Sequence, residues 1–301
     1  MNHLVPADVP FDVRSTYISN LETITHGTGR LFLFAGDQKV EHLNADFVGE
    51  GIAIEDATPE HLFNIASKAK IGAFATQLGL ISKYGSDFTS VPYIVKLNAK
   101  TDLVKISQKD PLSASWTSID ALMRFKKSSG LNIVGIGYTI YPGSENEAQM
   151  FAEAAKYVFE AHQHGLISII WSYARGKAVQ NEKDPHIVAG CAGVVACMGA
   201  DFVKINAPVS DTVSSSEALK EAVSAAGRTK VICAGGGNMG AGEFLQSLHD
   251  QIHIAGCAGN ATGRNIHQRP LVEAIRFCNA IYGMTVDNLS VDEAMRIYEQ
   301  I

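Results

Sequence analysis

The chain has 301 residues, 46% of them apolar and 19% charged, with a formal net charge of −6. That much apolar content excludes a disordered chain, and the mildly acidic balance argues against a dedicated nucleic-acid binder, which carries a basic footprint. Length alone allows two ordinary domains of about 150 residues or one α/β barrel of about 250.

A leading helix is predicted over residues 15–25. The first strand is 31–36 (LFLFAG), followed by a helix over 58–70 with Thr58 before it and Pro59 at its first position. The second strand is 72–76 (GAFAT). Residues 80–90 are ambiguous, a short helix with a break at Gly85. The third strand is 92–97 (PYIVKL), and the connection over 98–115 is the longest without a helical pattern. A helix at 118–127 leads to the fourth strand, 132–140. A helix at 145–164 carries Ala148, Phe151, Ala152, Ala155 and Phe159 on one face. The fifth strand is 166–173 (LISIIWSY), with a helix at 185–198. The sixth is 201–206 (DFVKIN), with a helix at 214–225. The seventh is 230–234 (KVICA), with a helix at 241–248. The eighth is 253–257 (HIAGC), and helices at 266–281 and 291–300 finish the chain.

These apolar runs suit strands buried on both faces. Eight strands, each followed by a helical crossover, point to an α/β fold, a (β/α)8 TIM barrel. An open doubly wound sheet has the same alternation. No linker-like tract interrupts residues 1–301, so one domain is expected, its leading helix capping the lower end. No run of 18 apolar residues is present and the N-terminus lacks a signal-peptide pattern, so neither a membrane span nor export is expected. The cysteines at 191, 197, 233, 257 and 278 form no CxxC pair and read as small buried hydrophobes in a reducing cytosol.

In a barrel, chemistry collects at the C-terminal strand ends. Strand one exits into DQKVEH, strand five into WSYARGK, strand seven into Gly235-Gly236-Gly237-Asn238, and strand eight into GNATGRN. Glycine lets the backbone approach a ligand and turn its N–H groups inward. A glycine loop ahead of a helix is a ready anion site, and Arg264 adds a forked cation suited to phosphate. Gly235, Gly236, Gly263 and Arg264 are therefore the candidate phosphate seat. Lys204 lies mid-strand, and alternation puts it on one face with Phe202 and Asn206. A lumen position would desolvate its amine and make it a nucleophile; a structural ion pair is the other reading. Lys96 is a rival nucleophile, a second cation that depresses Lys204, or a substrate ligand. Tyr173 and Asp37 are candidates for proton transfer, and Trp171 either shapes the site or fills the barrel. His42, His162, His164 and His186 show no metal-ligand spacing, so no metal and no cofactor is expected.

The runs DQKVEH, VKLNAKT, YTIYPGSENE, WSYARGK, DFVKIN and GRNIHQRP resemble those of the archaeal-type class I fructose-bisphosphate aldolases, from about residue 28 to 285. The resemblance implies metal-independent aldol cleavage through a lysine Schiff base, in glycolysis and gluconeogenesis. By position, Lys204 would be the Schiff-base residue, Tyr173 the general acid/base, Asp37 its assistant and Trp171 the residue shaping the centre. Gly235, Gly236, Gly263 and Arg264 would hold the ketose C1 phosphate. It further implies a cytoplasmic homo-oligomer acting on a phosphorylated sugar. Ala174 stands where the family often has proline, and Gly237-Asn238 where it often has Pro-Lys, which puts the substrate in doubt. A related Schiff-base lyase or transferase, for example an aromatic-precursor synthase or a deoxyribose-phosphate aldolase, and a non-catalytic phosphosugar-binding barrel are the alternatives.

Overall fold

The computed structural model describes residues 5–103, 110–237 and 239–300. The middle of the 98–115 connection and Asn238 lie outside the described residues. Eight parallel strands close into one barrel, β8 returning to pair with β1. They are β1 (Leu31–Ala35), β2 (Ala73–Gln77), β3 (Tyr93–Lys96), β4 (Ile133–Ile140), β5 (Ile167–Ser172), β6 (Phe202–Ile205), β7 (Lys230–Ala234) and β8 (Gly259–Thr262). The helices are α1 (Arg14–Thr25), α2 (Gln38–Glu41), α3 (Pro59–Lys68), α4 (Leu78–Tyr84), α5 (Ile119–Ser129), α6 (Glu147–Gln163), α7 (Pro185–Cys197), α8 (Ser215–Ala226), α9 (Ala241–His253), α10 (Arg264–His267), α11 (Leu271–Thr285) and α12 (Val291–Glu299). Local chemistry agrees with these starts. The Asp184 side chain accepts from the backbone of His186 and Ile187 with Pro185 in the first turn, and Ser290 and Glu293 cap α12 reciprocally.

Strand alternation divides the core in two. Leu31, Leu33, Ile94, Ile169, Trp171, Phe202 and Ile232 fill the lumen. Phe32, Phe34, Phe74, Tyr93, Ile170 and Val203 pack outward against the helices. Lys204 thus shares the lumen face with Phe202, as the alternation of DFVKIN requires. At the lower end α1 sends Tyr17, Leu21 and Ile24 into the lumen cluster. The Tyr17 hydroxyl donates to Asp201 at 2.6 Å, and His162 bridges Asp201 and Asp8 at 3.1 and 2.8 Å.

The eighth strand is not HIAGC. The amphipathic pattern of α9 runs on through His253, and Ile252, Ala255 and Cys257 are buried at the helix end and the turn beyond it. The strand itself is Gly-Asn-Ala-Thr, whose polar side chains find partners inside: Thr262 donates to Asn260 at 2.8 Å, and Asn260 donates to Thr285 at 3.0 Å. A Cβ on Gly259 would lie 2.0 Å from the Leu31 carbonyl oxygen. Hydropathy cannot see so polar a strand. The expected 266–281 helix is two helices, because Pro270 starts α11 afresh. Residues 78–87 form α4 and a 3-10 turn. Four cysteines are buried, but Cys197, in the last turn of α7, is exposed.

Candidate active site

The strand tips surround an open pocket whose space, mouth included, is about 640 Å3. Asp37, Trp171, Tyr173, Lys204, Gly235, Gly236, Gly263 and Arg264 all line it. So do Gln38, Glu41, His42, Arg175 and Asn206, which the reading of the sequence had not assigned to the site. The short helix α2 explains most of that omission. Asp37 is its N-cap and His42 its C-cap, and one helical turn carries Gln38 and Glu41 to the cavity wall. Four helical residues are too few for a periodic signal.

Lys96 is separated from the others. It is 2% exposed and does not line the pocket. Its ammonium donates to Thr139 Oγ1 at 2.5 Å and lies 3.9 Å from Asp37 Oδ2. Lys204 engages no hydrogen bond or ion pair among the described residues. Its amine lies 5.1 Å from the Trp171 ring centroid, and Lys96 lies 4.7 Å from the same ring. Gly137 makes room for this stack: a Cβ there would sit 2.5 Å from Trp171 Cζ3 and 3.0 Å from Lys96 Cδ.

The electrostatics follow from burial. Burial holds the Lys204 amine below the usual lysine range, assisted by the Lys96 and Arg264 charges and opposed by Asp37 and Glu41. An amine so placed presents more of its free, nucleophilic form at neutral pH. Burial pushes the Tyr173 phenol well above its ordinary value, reinforced by Glu41 and Asp37 and opposed by Arg175 and Arg264. In this resting state it is a proton donor. Burial also raises the Glu41 carboxyl above its ordinary value, against Lys96 and Arg175.

The glycine loops are braced from behind. The Asn265 side-chain amide donates to the Gly235 and Gly237 carbonyls at 2.9 and 2.8 Å, and its oxygen accepts from the Met239 backbone at 3.0 Å. Gly236 has φ of +70°, which favours glycine, and Arg264 donates to its carbonyl at 3.2 Å. A Cβ on Gly263 would lie 2.5 Å from the Ala35 oxygen. The helix beyond the β7 loop starts only at Ala241, and α10 is a single turn. An anion here would therefore meet loop N–H groups and Arg264 rather than a helix dipole.

A family model for DeoC/LacD family aldolases matches residues 31–269. The chain belongs to this aldolase family. A Methanocaldococcus jannaschii relative named fructose-bisphosphate aldolase/6-deoxy-5-ketofructose 1-phosphate synthase is 58% identical over 294 residues, covering 98% of this chain and 94% of its own. A Thermoproteus tenax protein named fructose-bisphosphate aldolase class 1 is 32% identical over 269 residues, with 89% and 94% covered. Among solved structures, a fructose-bisphosphate aldolase from Slackia heliotrinireducens superposes with a TM-score of 0.97 at 54% identity, covering 99% of this chain and 94% of its own. An archaeal fructose-1,6-bisphosphate aldolase with its catalytic lysine bound to a carbinolamine intermediate superposes at 0.75 with 31% identity, covering 90% and 99%. The class I aldolase resemblance read from the motifs and the barrel fold both hold for this aldolase.

Proposed function

We propose that this aldolase cleaves fructose 1,6-bisphosphate to dihydroxyacetone phosphate and glyceraldehyde 3-phosphate through a Schiff base on Lys204. One observation carries the choice of residue: of the two lysines buried among the described residues, only Lys204 opens onto the pocket. The order of strands around the wall supports the substrate's direction. Gly263 and Arg264 follow β8, Gly235 and Gly236 follow β7, Lys204 is on β6, and Tyr173 and Arg175 follow β5. A ketose laid along this arc puts its C1 phosphate on the glycine loops and C2 at Lys204. C4 then falls at Tyr173 and the second phosphate toward Arg175.

The Lys204 amine adds to the C2 carbonyl, and loss of water gives the iminium. Tyr173 gives its phenol proton to the departing water, and the phenolate so formed, favoured by the iminium beside it, takes the C4 hydroxyl proton. The C3–C4 bond breaks and its electron pair flows into the iminium, giving an enamine at Lys204 and free aldehyde. Protonation of the enamine carbon and addition of water release dihydroxyacetone phosphate and restore the amine. Covalent activation and orientation supply most of the acceleration. The cytoplasmic homo-oligomer that the resemblance implies belongs to the same proposal.

The double name of the Methanocaldococcus jannaschii relative supports a second reading. Its 6-deoxy product disconnects between C3 and C4 to the same three-carbon enamine and a 2-oxoaldehyde acceptor that lacks a phosphate. Borohydride reduction with fructose 1,6-bisphosphate or dihydroxyacetone phosphate, followed by peptide mapping, tests the mechanism. A substrate-dependent adduct on Lys204 supports it, an adduct on Lys96 moves the nucleophile, and no adduct in folded protein refutes Schiff-base chemistry with these substrates. Cleavage of the 6-deoxy compound at a rate matching or exceeding that of the bisphosphate would favour the second reading.

A further inference from the structure

One acidic side chain ties together two cations at the rim of the glycine loops. Asp46 Oδ2 accepts a short hydrogen bond from His42 Nδ1 and lies 3.6 Å from Arg264 Nε. His42 and Arg264 both line the pocket with Gly235, Gly236 and Gly263. Because they share one oxygen, His42 Nδ1 and Arg264 Nε lie within about 6 Å of each other, so the ring and the guanidinium stand side by side at the rim, as two donors to one anion would. Nδ1 is taken by Asp46, so Nε2 is the ring nitrogen left without a protein partner among the described residues. Arg264 has Nε turned to Asp46 and Nη2 to the Gly236 carbonyl, which fixes the fork beside the loop.

We propose that His42 is a further phosphate ligand, donating from Nε2 to the anion seated on the glycine loops and Arg264, with Asp46 as the residue that positions both cations. The inference rests on the reading of those loops as a phosphate seat. Three charged groups bear on the ring. The Asp46 hydrogen bond and charge and the Glu41 carboxylate favour its charged form, while burial and Arg264 oppose it. The balance raises the ring above its ordinary value and so favours the imidazolium. The contribution of His42 to phosphate affinity should therefore be full at acid pH and be lost as pH rises through the raised value. The acid limb, where the phosphate itself takes up a proton, belongs to the ligand and is common to every variant.

The probe is inorganic phosphate, titrated by calorimetry from pH 6 to 9 against wild type, His42→Gln, His42→Asn, Asp46→Asn and Arg264→Ala, each checked by thermal melting. We expect both His42 variants to bind phosphate about tenfold more weakly at pH 7, the scale of one charge-assisted hydrogen bond. The alkaline fall should vanish in them. Asp46→Asn should bring that fall to lower pH, toward an ordinary histidine. In steady-state cleavage, KM for fructose 1,6-bisphosphate should rise in His42→Gln with kcat little changed. Wild-type affinity and pH profile in both His42 variants, with binding weakened in Arg264→Ala, overturn the role of His42 and leave the phosphate seat intact. No effect in any of the variants overturns both. A fall in kcat with phosphate affinity unchanged would also sink the assignment.

Discussion

Replacing Lys96 by methionine separates the duties of the two lysines. Both amines sit over Trp171, at 4.7 and 5.1 Å from its centroid. They are therefore at most about 10 Å apart, and two unit charges at that separation repel by about 1.7 kcal/mol at an effective dielectric of 20. The Lys96 charge is one of the influences that hold the Lys204 amine low. Removing it also releases Asp37, whose carboxylate lies 3.9 Å from Lys96 Nζ and favours a charged Lys204. Both effects push Lys204 toward its protonated, unreactive form. At about 1.4 kcal/mol per factor of ten, trapping of dihydroxyacetone phosphate by borohydride should slow on the order of tenfold at pH 7. The rate should recover toward wild type as pH rises, because the amine is still in place. The assay is single-turnover trapping across pH 6 to 10, with a melting curve to confirm folding, since methionine leaves Asn98 and Thr139 to repartner. An equal loss at every pH refutes the electrostatic argument and makes Lys96 a geometric support. Loss of all adduct, with wild-type label on Lys96, refutes the assignment of Lys204.

Two further outcomes follow from the packing. Gly137→Ala places a Cβ 2.5 Å from Trp171 Cζ3, and overpacking of this kind costs about 1–3 kcal/mol; the variant should melt several degrees lower and trap substrate on Lys204 more slowly, and a wild-type trapping rate would show that the Trp171 position is not critical. At the lower end burial opposes charge on His162, but its bonds to Asp201 and Asp8 outweigh this and carry its pKa to about 9. A raised value means stability fully present below about pH 6.5 and lost as pH rises through 9, a few kcal/mol in all. His162→Gln should therefore melt well below wild type at pH 6 and close to it at pH 10; a gap independent of pH would contradict the charged assignment.

How much of this was legible in the sequence depends on what each element is made of. Seven strands announced themselves because both faces are buried and the runs are apolar. The eighth did not, since Asn260 and Thr262 satisfy each other inside the barrel while the apolar HIAGC belongs to the end of α9 and its turn. Lys204 was legible from alternation with Phe202. The rival standing of Lys96 was not resolvable, because its local sequence is equally apolar; what separates them is depth beneath the pocket, a tertiary fact. Glu41 and His42 stood in the strand-one exit already singled out. Only α2 turns them toward the cavity, and it is too short to predict. Arg175 stood in the exit of strand five, WSYARGK, but its place on the pocket wall needed the closed barrel.

The site is the upper storey of the barrel core, built by the same alternation that fills the lower one. On β6 the lumen face reads Phe202, Lys204, Asn206; on β3, Ile94, Lys96, Asn98; on β5, Ile169, Trp171, Tyr173; on β1, Leu33, Ala35, Asp37. Each strand passes from an apolar side chain that closes the floor to a chemical one two or four residues higher. The remaining side is hollow. On β7 and β8 the corresponding positions are Ala234, Gly236, Ala261 and Gly263, all on the pocket wall. Filled strands supply amine, indole and phenol, while empty ones supply space and backbone N–H groups. A ligand entering this barrel is therefore pressed against Lys204 from the β7–β8 side. Enlarging any of those four small residues should tax phosphate affinity before it touches the chemistry of the lysine.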